Sequence, residues 1–509
     1  MQDPQTELGR MSVSKGQGGF AGNVLTLGGG ATVAHLIAFC CAPITNRLFS
    51  PEAFGTMAMF SAIVLIAGVA LTLRYEAALV LPARDEDAAN LLALSCICVA
   101  AGAGLLFLAI ALTGDSLARI LNAEELARYK WLIPIGAFAW SMGLPLRAWA
   151  IRHKRFGYMA TASISETGAS SAGRIAAGLA QLTGSGPLIV TDVTAKLLSA
   201  AVLAVRPILR DVKFIAANVS WRQMMELGRK HIRFPLVDSW SAILRQGSRF
   251  VPPLLLGASL GQASAGHYSR AVVLGHIPFL LIGNSVAQVF YQQAAASHAE
   301  GKPISALVQE VTERLVWIAL FPMEMLALIG SDIFRVVLGA QWGPAGQFSR
   351  ILAVWLFLEA VALPLTGLIR ILGRFGAGLA FNTVLVAGQI IALAIGGWAI
   401  ASPQVSVVLL AGVGAAVHGG LCLFLLRESG ASLRRAANSL VRYFAYSLPA
   451  LTITGAAKWW LGLANWKIVL IAIVTSLSYL VLVVRHDKWA SSKLSALVSK
   501  ARPGQRRRS

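Results

Sequence analysis

Apolar stretches of about twenty residues recur along almost the whole chain, and this feature restricts the fold more than any other. A helix needs roughly 20 apolar residues to cross the hydrocarbon core of a bilayer. The alternation of polar and apolar residues typical of a membrane barrel is absent, so we expect an all-α polytopic membrane protein with about fourteen transmembrane helices. The predicted spans are 23–46, 52–73, 88–112, 129–148, 157–180, 186–205, 235–257, 265–291, 308–330, 346–369, 376–400, 404–426, 443–463 and 466–484.

Charged residues support this interpretation by their scarcity and by their distribution. Only 13% of the residues are charged, against roughly 25% in a soluble chain. The net charge is +21, but it is unevenly placed. With the N-terminus inside, about 31 of the 44 Lys and Arg residues fall in cytoplasmic loops and tails. The sequence therefore predicts cytoplasmic termini and basic loops that meet anionic membrane lipids, and no nucleic-acid partner is needed to explain the charge.

Two motifs of the first half return in the second half at an offset of 219 residues. Leu144–Leu146 and Arg155–Gly157 recur as Leu363–Leu365 and Arg374–Gly376. A weaker echo upstream has an offset of about 211. Each half holds six predicted spans, which is an even number, so both halves enter the membrane in the same orientation. The sequence therefore predicts a parallel internal repeat, an arrangement found in transporters that carry their substrate between two related bundles.

The repeat predicts the organisation of the chain. Residues 1–206 are expected to form an N-terminal lobe with spans 1–6, and residues 235–427 a C-terminal lobe with spans 7–12. A basic cytoplasmic connector at 207–234 joins them. Spans 13 and 14 have no partner in the repeat, so residues 428–484 are expected to form an accessory pair, followed by a basic cytoplasmic tail at 485–509. The external loops are too short to hold a soluble domain.

Four runs of residues resemble the bacterial polysaccharide-transporter family, the Wzx-type flippases of the multidrug/oligosaccharidyl-lipid/polysaccharide (MOP) exporter superfamily. They are Pro43–Gly55 and Leu73–Pro82 in the first half, and Ala265–Arg270 and Gly283–Tyr291 in the second. The resemblance implies two six-helix lobes around a V-shaped cavity that opens alternately to either side of the bacterial inner membrane. It also implies a prenyl-pyrophosphate-linked oligosaccharide as cargo.

Motif residues at the ends of spans 1 and 2 have two interpretations. Arg47 is expected at the outer end of span 1, and Arg74 and Glu76 at the inner end of span 2. They could form the gate pairs that hold one face of the transporter shut. They could equally cap helices and fix the shape of the loops, and the sequence leaves both interpretations open.

Ten of the charged residues in the predicted spans are candidates for a place within the membrane. A charge at the bilayer centre costs about 2.5–3.5 kcal/mol on insertion scales, so each needs a reason. Cations and acids are equal in number, so the charge count alone does not establish an anionic substrate. The cations are Arg174, Lys196, Arg245, Arg249 and Arg270, and the acids are Glu166, Asp192, Asp238, Glu324 and Glu359.

Span 7 has the most suggestive pattern. Asp238, Arg245 and Arg249 are spaced i, i+7 and i+11, which places them on one face of a helix. Guanidinium groups match phosphate oxygens in a forked geometry, so the two arginines could clamp a pyrophosphate in a cavity. The alternative is an internal ladder of ion pairs, in which Asp238 or an acid on another helix neutralises them.

The other intramembrane charges also have competing roles. Span 5, with Arg174 and many hydroxyl groups, could line a cavity or pack tightly against its neighbours. Arg270 lies near the outer end of span 8, where it could bind substrate or reach the interface, while Asp192 and Lys196 have the spacing of an ion pair. The acids that could couple transport to an ion gradient are Glu324, Glu359, Glu166 and Asp238.

The sequence thus predicts a flippase for a lipid-linked oligosaccharide repeat unit of exopolysaccharide, capsule or O-antigen, and no enzymatic step. A lipid II flippase and a MATE-type drug/cation antiporter are alternatives within the superfamily, and a polytopic glycan polymerase or ligase is a third from another class. We expect no cofactor and no metal site, and a cycle driven by protons, sodium or the membrane potential. A monomer that works with a polysaccharide polymerase and export machinery is also expected.

Overall fold

The computed structural model describes the backbone of residues 17–486, and the side chains of these residues apart from 17–28, 206–207, 277–285, 288, 375, 484 and 486. All regular structure in the described part of the chain is helical, so the prediction of an all-α membrane protein is confirmed. The chain divides into two compact units, residues 1–250 and 251–509. The predicted bounds of the lobes and of the connector stay predictions.

Eleven of the described α-helices begin in the first unit, and the last of them, α11, ends in the second. They are α1 (Gln17–Leu48), α2 (Pro51–Leu71), α3 (Tyr75–Ala78), α4 (Asp85–Ile120), α5 (Glu124–Arg128), α6 (Leu132–Arg152), α7 (Phe156–Leu179), α8 (Ser185–Leu203), α9 (Leu209–Asn218), α10 (Trp221–Lys230) and α11 (Ser239–Leu260). Ser50 caps α2 by accepting a hydrogen bond from the backbone of Ala53 at 3.2 Å, and Pro51 stands at the first helical position, where its missing N–H is not needed.

Nine helices complete the described chain. They are α12 (Gln262–Gly275), α13 (Ile277–Ala299), α14 (Ser305–Leu338), α15 (Gly343–Leu365), α16 (Gly367–Ile371), α17 (Phe375–Leu393), α18 (Pro403–Glu428), α19 (Leu433–Trp459) and α20 (Asn465–His486). Several helix positions follow the repeat of the sequence. α7 begins at Phe156 and α17 at Phe375, which are 219 residues apart, and the long helices α4 and α14 contain 36 and 34 residues.

Nine stretches of the described chain are both long enough and apolar enough to cross a membrane. They correspond to predicted spans 1, 2, 3, 6, 9, 10, 11, 12 and 14. The remaining predicted spans are helical as well, as α6, α7, α11, α12 with α13, and α19, but the count of fourteen spans is not confirmed. Four of these helices, α6, α7, α11 and α12, carry arginines that lower their mean hydropathy, and α12, with 14 residues, is also shorter than a span needs.

Part of the predicted connector is folded and attached to α4. Asn90 of α4 donates to the Asn218 carbonyl at 2.8 Å and accepts from the backbone N–H of Ser220 at 2.9 Å. Gln223 of α10 donates to Asp87 at 3.0 Å. These bonds satisfy the backbone at the junction of α9 and α10, so the two short helices are fixed against one end of α4.

Helix α14 is kinked, and two cations from other helices bind at the kink. Ile329 has non-helical angles (φ −124°, ψ 21°). Such a break leaves carbonyl groups without their usual helical donors, and in a membrane these must be satisfied internally. Arg350 of α15 donates to the Ala327 carbonyl at 2.9 Å, and Lys458 of α19 donates to the Leu328 carbonyl at 3.0 Å. The kink is therefore stabilised from both sides.

Helices α19 and α20, the predicted accessory pair, pack on α14 in the second unit. Phe321 of α14 stacks on Tyr479 of α20, with ring centroids 4.1 Å apart and planes inclined by 10°. Thr454 and Thr475 share a hydrogen bond of 3.2 Å that joins the two helices to each other. Together with α14 these helices belong to one apolar core, so the accessory pair is an integral part of the unit.

Candidate functional site

Arg147 connects three helices of the first unit through polar contacts. It lies on α6 and donates to the hydroxyl groups of Ser163 on α7 and Ser199 on α8, each at 3.3 Å. Its guanidinium is also 3.6 Å from the Glu166 carboxylate of α7. Arg147 and Glu166 are only partly buried, with about a third of each side chain exposed (30% and 33%). This arrangement holds a guanidinium in place while leaving part of it open to a ligand.

A second charged cluster adjoins the first along α7 and α8. Asp192 of α8 forms an ion pair with Lys196 one turn further along the same helix, as the spacing predicts. Its other oxygen accepts from Arg174 of α7 at 3.5 Å. All three side chains are largely buried. Asp192 therefore neutralises one of two cations, and the cluster keeps a positive charge.

Taken together, these two clusters carry three cations and two acids. α7 begins at Phe156, so Glu166 is its eleventh residue and Arg174 its nineteenth. With a rise of about 1.5 Å per residue, these positions are roughly 15 Å and 27 Å from the start of the helix. The charges therefore extend through much of the depth of a bilayer. They can offer ionic and hydroxyl partners to an anionic, hydroxyl-rich ligand along that depth.

Arg245 and Arg249 both have exposed side chains on α11. Ser248, which lies between them, donates a hydroxyl hydrogen bond to the Arg245 carbonyl of the same helix at 2.8 Å. Because a guanidinium facing lipid near the bilayer centre is costly, exposed arginines at this depth are expected to face water. Asp238, the acid of the same predicted stripe, is ion-paired with Arg74 at 2.8 Å. The predicted role of the two arginines as a phosphate clamp stays a prediction.

Arg74 is the centre of an ion-pair triad at the junction of α2 and α3. Its guanidinium is 2.8 Å from Glu76 and 2.8 Å from Asp238. Leu73 and Arg74 have φ angles of 47° and 61°, a conformation that is uncommon for residues other than glycine. Burial raises the pKa of the Glu76 carboxyl above its ordinary 4.5, and the Arg74 guanidinium partly offsets that rise. The triad fixes the start of α11 against the end of α2.

The repeated Arg-Phe-Gly motif supplies a similar ion pair in each half. In the first half Arg155 donates to both oxygens of Asp211, at 2.7 and 3.0 Å, and the indole N–H of the fully buried Trp149 donates to the same carboxylate at 2.9 Å. In the second half Arg374 donates to Glu428 at 2.8 Å, where the arginine is mostly exposed. Both arginines stand just before a helix and bind an acid 54 to 56 residues later. We call these pairs the first and second latch.

Burial and hydrogen bonding oppose each other at the first latch. Burial alone would raise the pKa of Asp211, but the hydrogen bonds from Arg155 and Trp149 outweigh it and hold the pKa below the usual 3.8. Asp211 therefore stays ionised throughout the physiological range. The latch attaches α9 to the ends of α6 and α7 by a bidentate, charge-assisted contact.

The remaining predicted site residues make no described contact with the charged clusters on α6, α7 and α8. Glu359 of α15 is buried and lies 3.4 Å from the His276 ring. Glu324 of α14 has both carboxyl oxygens shielded from solvent, with no hydrogen-bond partner among the described residues. Arg270 is partly buried on α12, and Arg47 is exposed at the end of α1. Their predicted roles in binding, coupling and gating stay predictions.

Sequence reasoning missed Arg147 and the pair formed by Asp332 and Lys458. The sequence suggests a cytoplasmic loop for Arg147 because it stands at the end of an apolar stretch, but the helix continues to Arg152 and the side chain reaches Ser199 of α8. Asp332 lies just beyond predicted span 9 and Lys458 near the end of predicted span 13, yet α14 and α19 bring them within 2.7 Å. Helix α14 continues to Leu338, beyond the predicted end of span 9 at residue 330, and so it includes Asp332.

Solved structures with the same fold are membrane transporters. The inward closed conformation of the lipid II flippase MurJ matches with a TM-score of 0.70 and 11% identity, over 90% of this chain and 99% of that one. An inward-facing MATE-family multidrug resistance transporter of the MOP superfamily matches with a TM-score of 0.59 and 18% identity, over 79% and 98%. An outward-facing member of the same group matches with a TM-score of 0.53 and 16% identity, over 80% and 96%.

The family model for polysaccharide biosynthesis proteins matches residues 44–347, which is more than half of the chain. No sequence among curated proteins matches. The resemblance seen in the sequence is thus confirmed by the family model, and the fold agrees with it. The chain belongs to the polysaccharide biosynthesis protein family and has the fold of the MOP superfamily.

Proposed function

We propose that the protein is a flippase that moves a prenyl-pyrophosphate-linked oligosaccharide from the cytoplasmic to the outer leaflet of the bacterial inner membrane. The observation that carries the proposal is the positively charged set of side chains within the first unit, on α6, α7 and α8. An apolar protein needs a reason to keep three cations and only two acids at that depth. A diphosphate group supplies the missing negative charge.

The chemistry of the cargo fits the residues offered. A pyrophosphate has several oxygens that accept charge-assisted hydrogen bonds, and the guanidinium groups of Arg147, Arg245 and Arg249 are suited to them. The hydroxyl groups on α7, together with Ser199, suit the hydroxyl groups of a sugar. No bond is made or broken in this process, so the proposed activity is transport by alternating access rather than catalysis.

The Arg74 triad is suited to a gating role in the same cycle. Its ion pairs with Glu76 and Asp238 join the end of α2 to the start of α11. In this proposal the pairs break when the cytoplasmic side opens to admit the lipid-linked glycan. The cycle is driven by an ion gradient or by the membrane potential, and the protein works as a monomer alongside polymerase and export proteins.

A lipid II flippase is the second candidate, and one observation favours it. Residues 428–509 are 82 of the 509 residues, or about 16% of the chain. A match over 90% of the chain must therefore include part of this segment, in which α19 and α20 lie, so part of this region belongs to the fold shared with MurJ. A MATE-type antiporter is less well supported, because its usual cationic cargo would meet the positive clusters on α6, α7 and α8.

The test is transbilayer movement in liposomes that contain the purified full-length protein. The lumen-facing glycan of a prenyl-pyrophosphate oligosaccharide is measured with a lectin, for the wild type and for Arg245→Ala combined with Arg249→Ala. We expect movement that depends on the protein and falls at least tenfold in this double variant. The matched control is Arg222→Ala combined with Arg229→Ala, which removes the same charge from exposed positions on α10 and is expected to leave movement unchanged.

Each other outcome has a defined meaning. Movement of lipid II but not of the oligosaccharide would replace the first proposal with the second. Efflux of a cationic dye under a proton or sodium gradient, without lipid movement, would contradict both in favour of the antiporter. Movement that survives loss of Arg245 and Arg249 would keep the flippase and remove those two arginines from its binding site.

A further inference from the structure

Two of the acids of helix α14, Glu324 and Asp332, lie eight residues apart, and their surroundings differ sharply. Asp332 is buried, with 8% of its side chain exposed, and accepts an ion pair from Lys458 at 2.7 Å. Glu324 also has both carboxyl oxygens shielded from solvent, but no hydrogen-bond partner for them lies among the described residues. One helix thus holds one acid with a matching cation and one without.

Among the described residues, the groups around Glu324 provide no cation for it. From α19, Ser447 lies beside the carboxyl, but its hydroxyl donates to the Phe444 carbonyl at 2.8 Å. From α20, Tyr479 lies beside the carboxyl, and its own hydroxyl is shielded and has no described partner. Tyr443 of α19 lies next to Tyr479. The immediate neighbours of the carboxyl are therefore hydroxyl groups and aromatic rings.

Three cations on helices that pack against α14 have partners other than Glu324. Arg350 of α15 donates to the Ala327 carbonyl, and Lys458 of α19 binds Asp332 and the Leu328 carbonyl. Arg442 of α19 donates to the Tyr443 hydroxyl at 3.1 Å. The acid of α15, Glu359, faces His276. α13 and α18 contribute apolar residues to the same core.

An ionised carboxylate in these surroundings would be a shielded charge with no counter-ion among the described residues, beside a Ser447 hydroxyl that already donates to the Phe444 carbonyl. Such a group takes up a proton instead, because neutralisation removes the cost of burying the charge. The neutral carboxyl is also a hydrogen-bond donor, which suits a site lined by hydroxyl oxygens. We propose that Glu324 is a proton-binding site at the contact of α14 with the accessory helices α19 and α20, and that it is protonated in this conformation.

The position of the site suggests what the proton controls. Glu324 lies between Pro322, which removes a backbone donor from α14, and the kink at Ile329. A change in the bend of α14 would separate the carboxyl from α19 and α20 and admit water to it. The carboxyl would then release its proton to water as a carboxylate, and closure would require a proton to bind again. If the protein is a flippase, as proposed above, this exchange couples the cycle to a proton gradient.

The test compares Glu324 with Asp332 in the full-length protein, in lipid bilayers at neutral pH. Infrared spectra are recorded for the wild type, Glu324→Gln and Asp332→Asn, in the band of protonated carboxyl groups. We expect the band to lose intensity in Glu324→Gln and to keep it in Asp332→Asn. An unchanged band in Glu324→Gln, in a variant that still folds, would overturn the proposal. Loss of the band on adding sodium at constant pH would also overturn it, in favour of a metal-cation site.

Thermal stability gives a second measurement that does not depend on spectroscopy. Glutamine is a neutral analogue of the protonated acid, so Glu324→Gln is expected to leave Tm unchanged at neutral pH. Asp332→Asn leaves Lys458 without its counter-ion, so it is expected to lower Tm by several degrees. Equal losses of Tm in the two variants would show that Glu324 is charged and would contradict the proposal.

These measurements separate the proton site from the proposed function. Both readouts use protein without substrate, so they stand even if no lipid-linked glycan is moved. If the wild type does move the glycan, Glu324→Gln is expected to abolish acceleration by a proton gradient while binding of the glycan remains. If acceleration persists in the variant, the proton on Glu324 has only a structural role, and the coupling part of the proposal is overturned.

Discussion

The two repeats place their charges on different helices. In the first repeat the two charged clusters lie on α6, α7 and α8, whereas the five corresponding positions of the second repeat are uncharged. At the offset of 219, Arg147, Glu166, Arg174, Asp192 and Lys196 correspond to Thr366, Leu385, Leu393, Ala411 and Ala415. The second repeat has its shielded acids on α14 and α15 instead, as Glu324, Asp332 and Glu359. The two halves thus share their helices but differ in their charges, and in our proposals one half binds the ligand and the other holds a proton site.

Helices α4 and α14 show what allows this division. They occupy corresponding places in the two repeats and have similar lengths. In α4 only 28% of the most apolar stretch is buried, and side chains such as Leu105 and Leu112 are exposed. In α14 the figure is 61%, and α15, α19 and α20 all pack against it. A helix that is covered can hold acids such as Glu324 and Asp332, which a lipid-facing helix cannot.

The largest expected effect comes from breaking the ion pair between α14 and α19. Lys458→Met leaves the buried Asp332 without a counter-ion and removes a donor from the kink at Leu328. Removing one partner of a buried ion pair costs about 3–5 kcal/mol. Denaturant unfolding in detergent micelles is expected to show a loss of this size. Lys467→Met, at an exposed position on α20, is the matched control, and an equal loss there would contradict this account of α14.

Packing between corresponding helices gives the next effect. In the second repeat Trp355 of α15 lies against Gly414 of α18, and in the first repeat the corresponding residues are Gly136 and Ala195. In the first repeat both positions therefore hold small residues, so this contact of a large ring with a glycine belongs to the second repeat. A methyl group at Gly414 would overlap the indole ring, so Gly414→Ala is expected to destabilise the protein by about 1–3 kcal/mol.

Gly412 provides the control for this prediction on the same helix. Nothing lies within 4 Å of a Cβ placed there. Gly412→Ala is therefore expected to be neutral or to stabilise the protein by up to about 1 kcal/mol, since alanine favours a helix. Equal changes of Tm in Gly414→Ala and Gly412→Ala would contradict a close contact between Trp355 and Gly414.

The two latches differ by burial, and a smaller effect follows from that difference. Asp211→Asn removes the bidentate partner of Arg155 and weakens the bond from Trp149, so we expect a loss of about 1–2 kcal/mol. Glu428→Gln acts on a mostly exposed arginine, where ion pairs contribute about 0–1 kcal/mol. Equal losses in unfolding measurements would mean that burial does not distinguish the latches.

The pH dependence of the first latch sharpens the same comparison. The folded-state pKa of Asp211 lies below 3.8, so its contribution to stability is fully present above pH 3.8 and is lost as the pH falls through the folded-state value. The difference in Tm between wild type and Asp211→Asn is therefore expected to stay constant from pH 7 to about pH 5 and to vanish in stronger acid. A difference that disappears already near pH 6 would contradict the depressed pKa.

The sequence was a good guide to the fold and a poor one to the partners of its charges. Hydropathy and the repeated Arg-Phe-Gly motif predict helices and their order because both depend on local sequence. Spacing along one helix also predicted the pair of Asp192 and Lys196. The contact of Arg74 with Asp238 joins residues 164 positions apart, and that of Lys458 with Asp332 joins residues 126 apart. Such pairs depend on how helices pack against each other, and a single sequence does not contain that information.

The central claim is that the positively charged clusters on α6, α7 and α8 bind the diphosphate of the lipid-linked glycan. The most direct measurement compares, in liposomes with the full-length protein, the movement of two lipids with the same glycan, one linked through pyrophosphate and one through a neutral linkage. The account predicts that only the pyrophosphate lipid moves, and that Arg147→Gln slows it at least tenfold. Equal movement of both lipids, unaffected by Arg147→Gln, would contradict the claim.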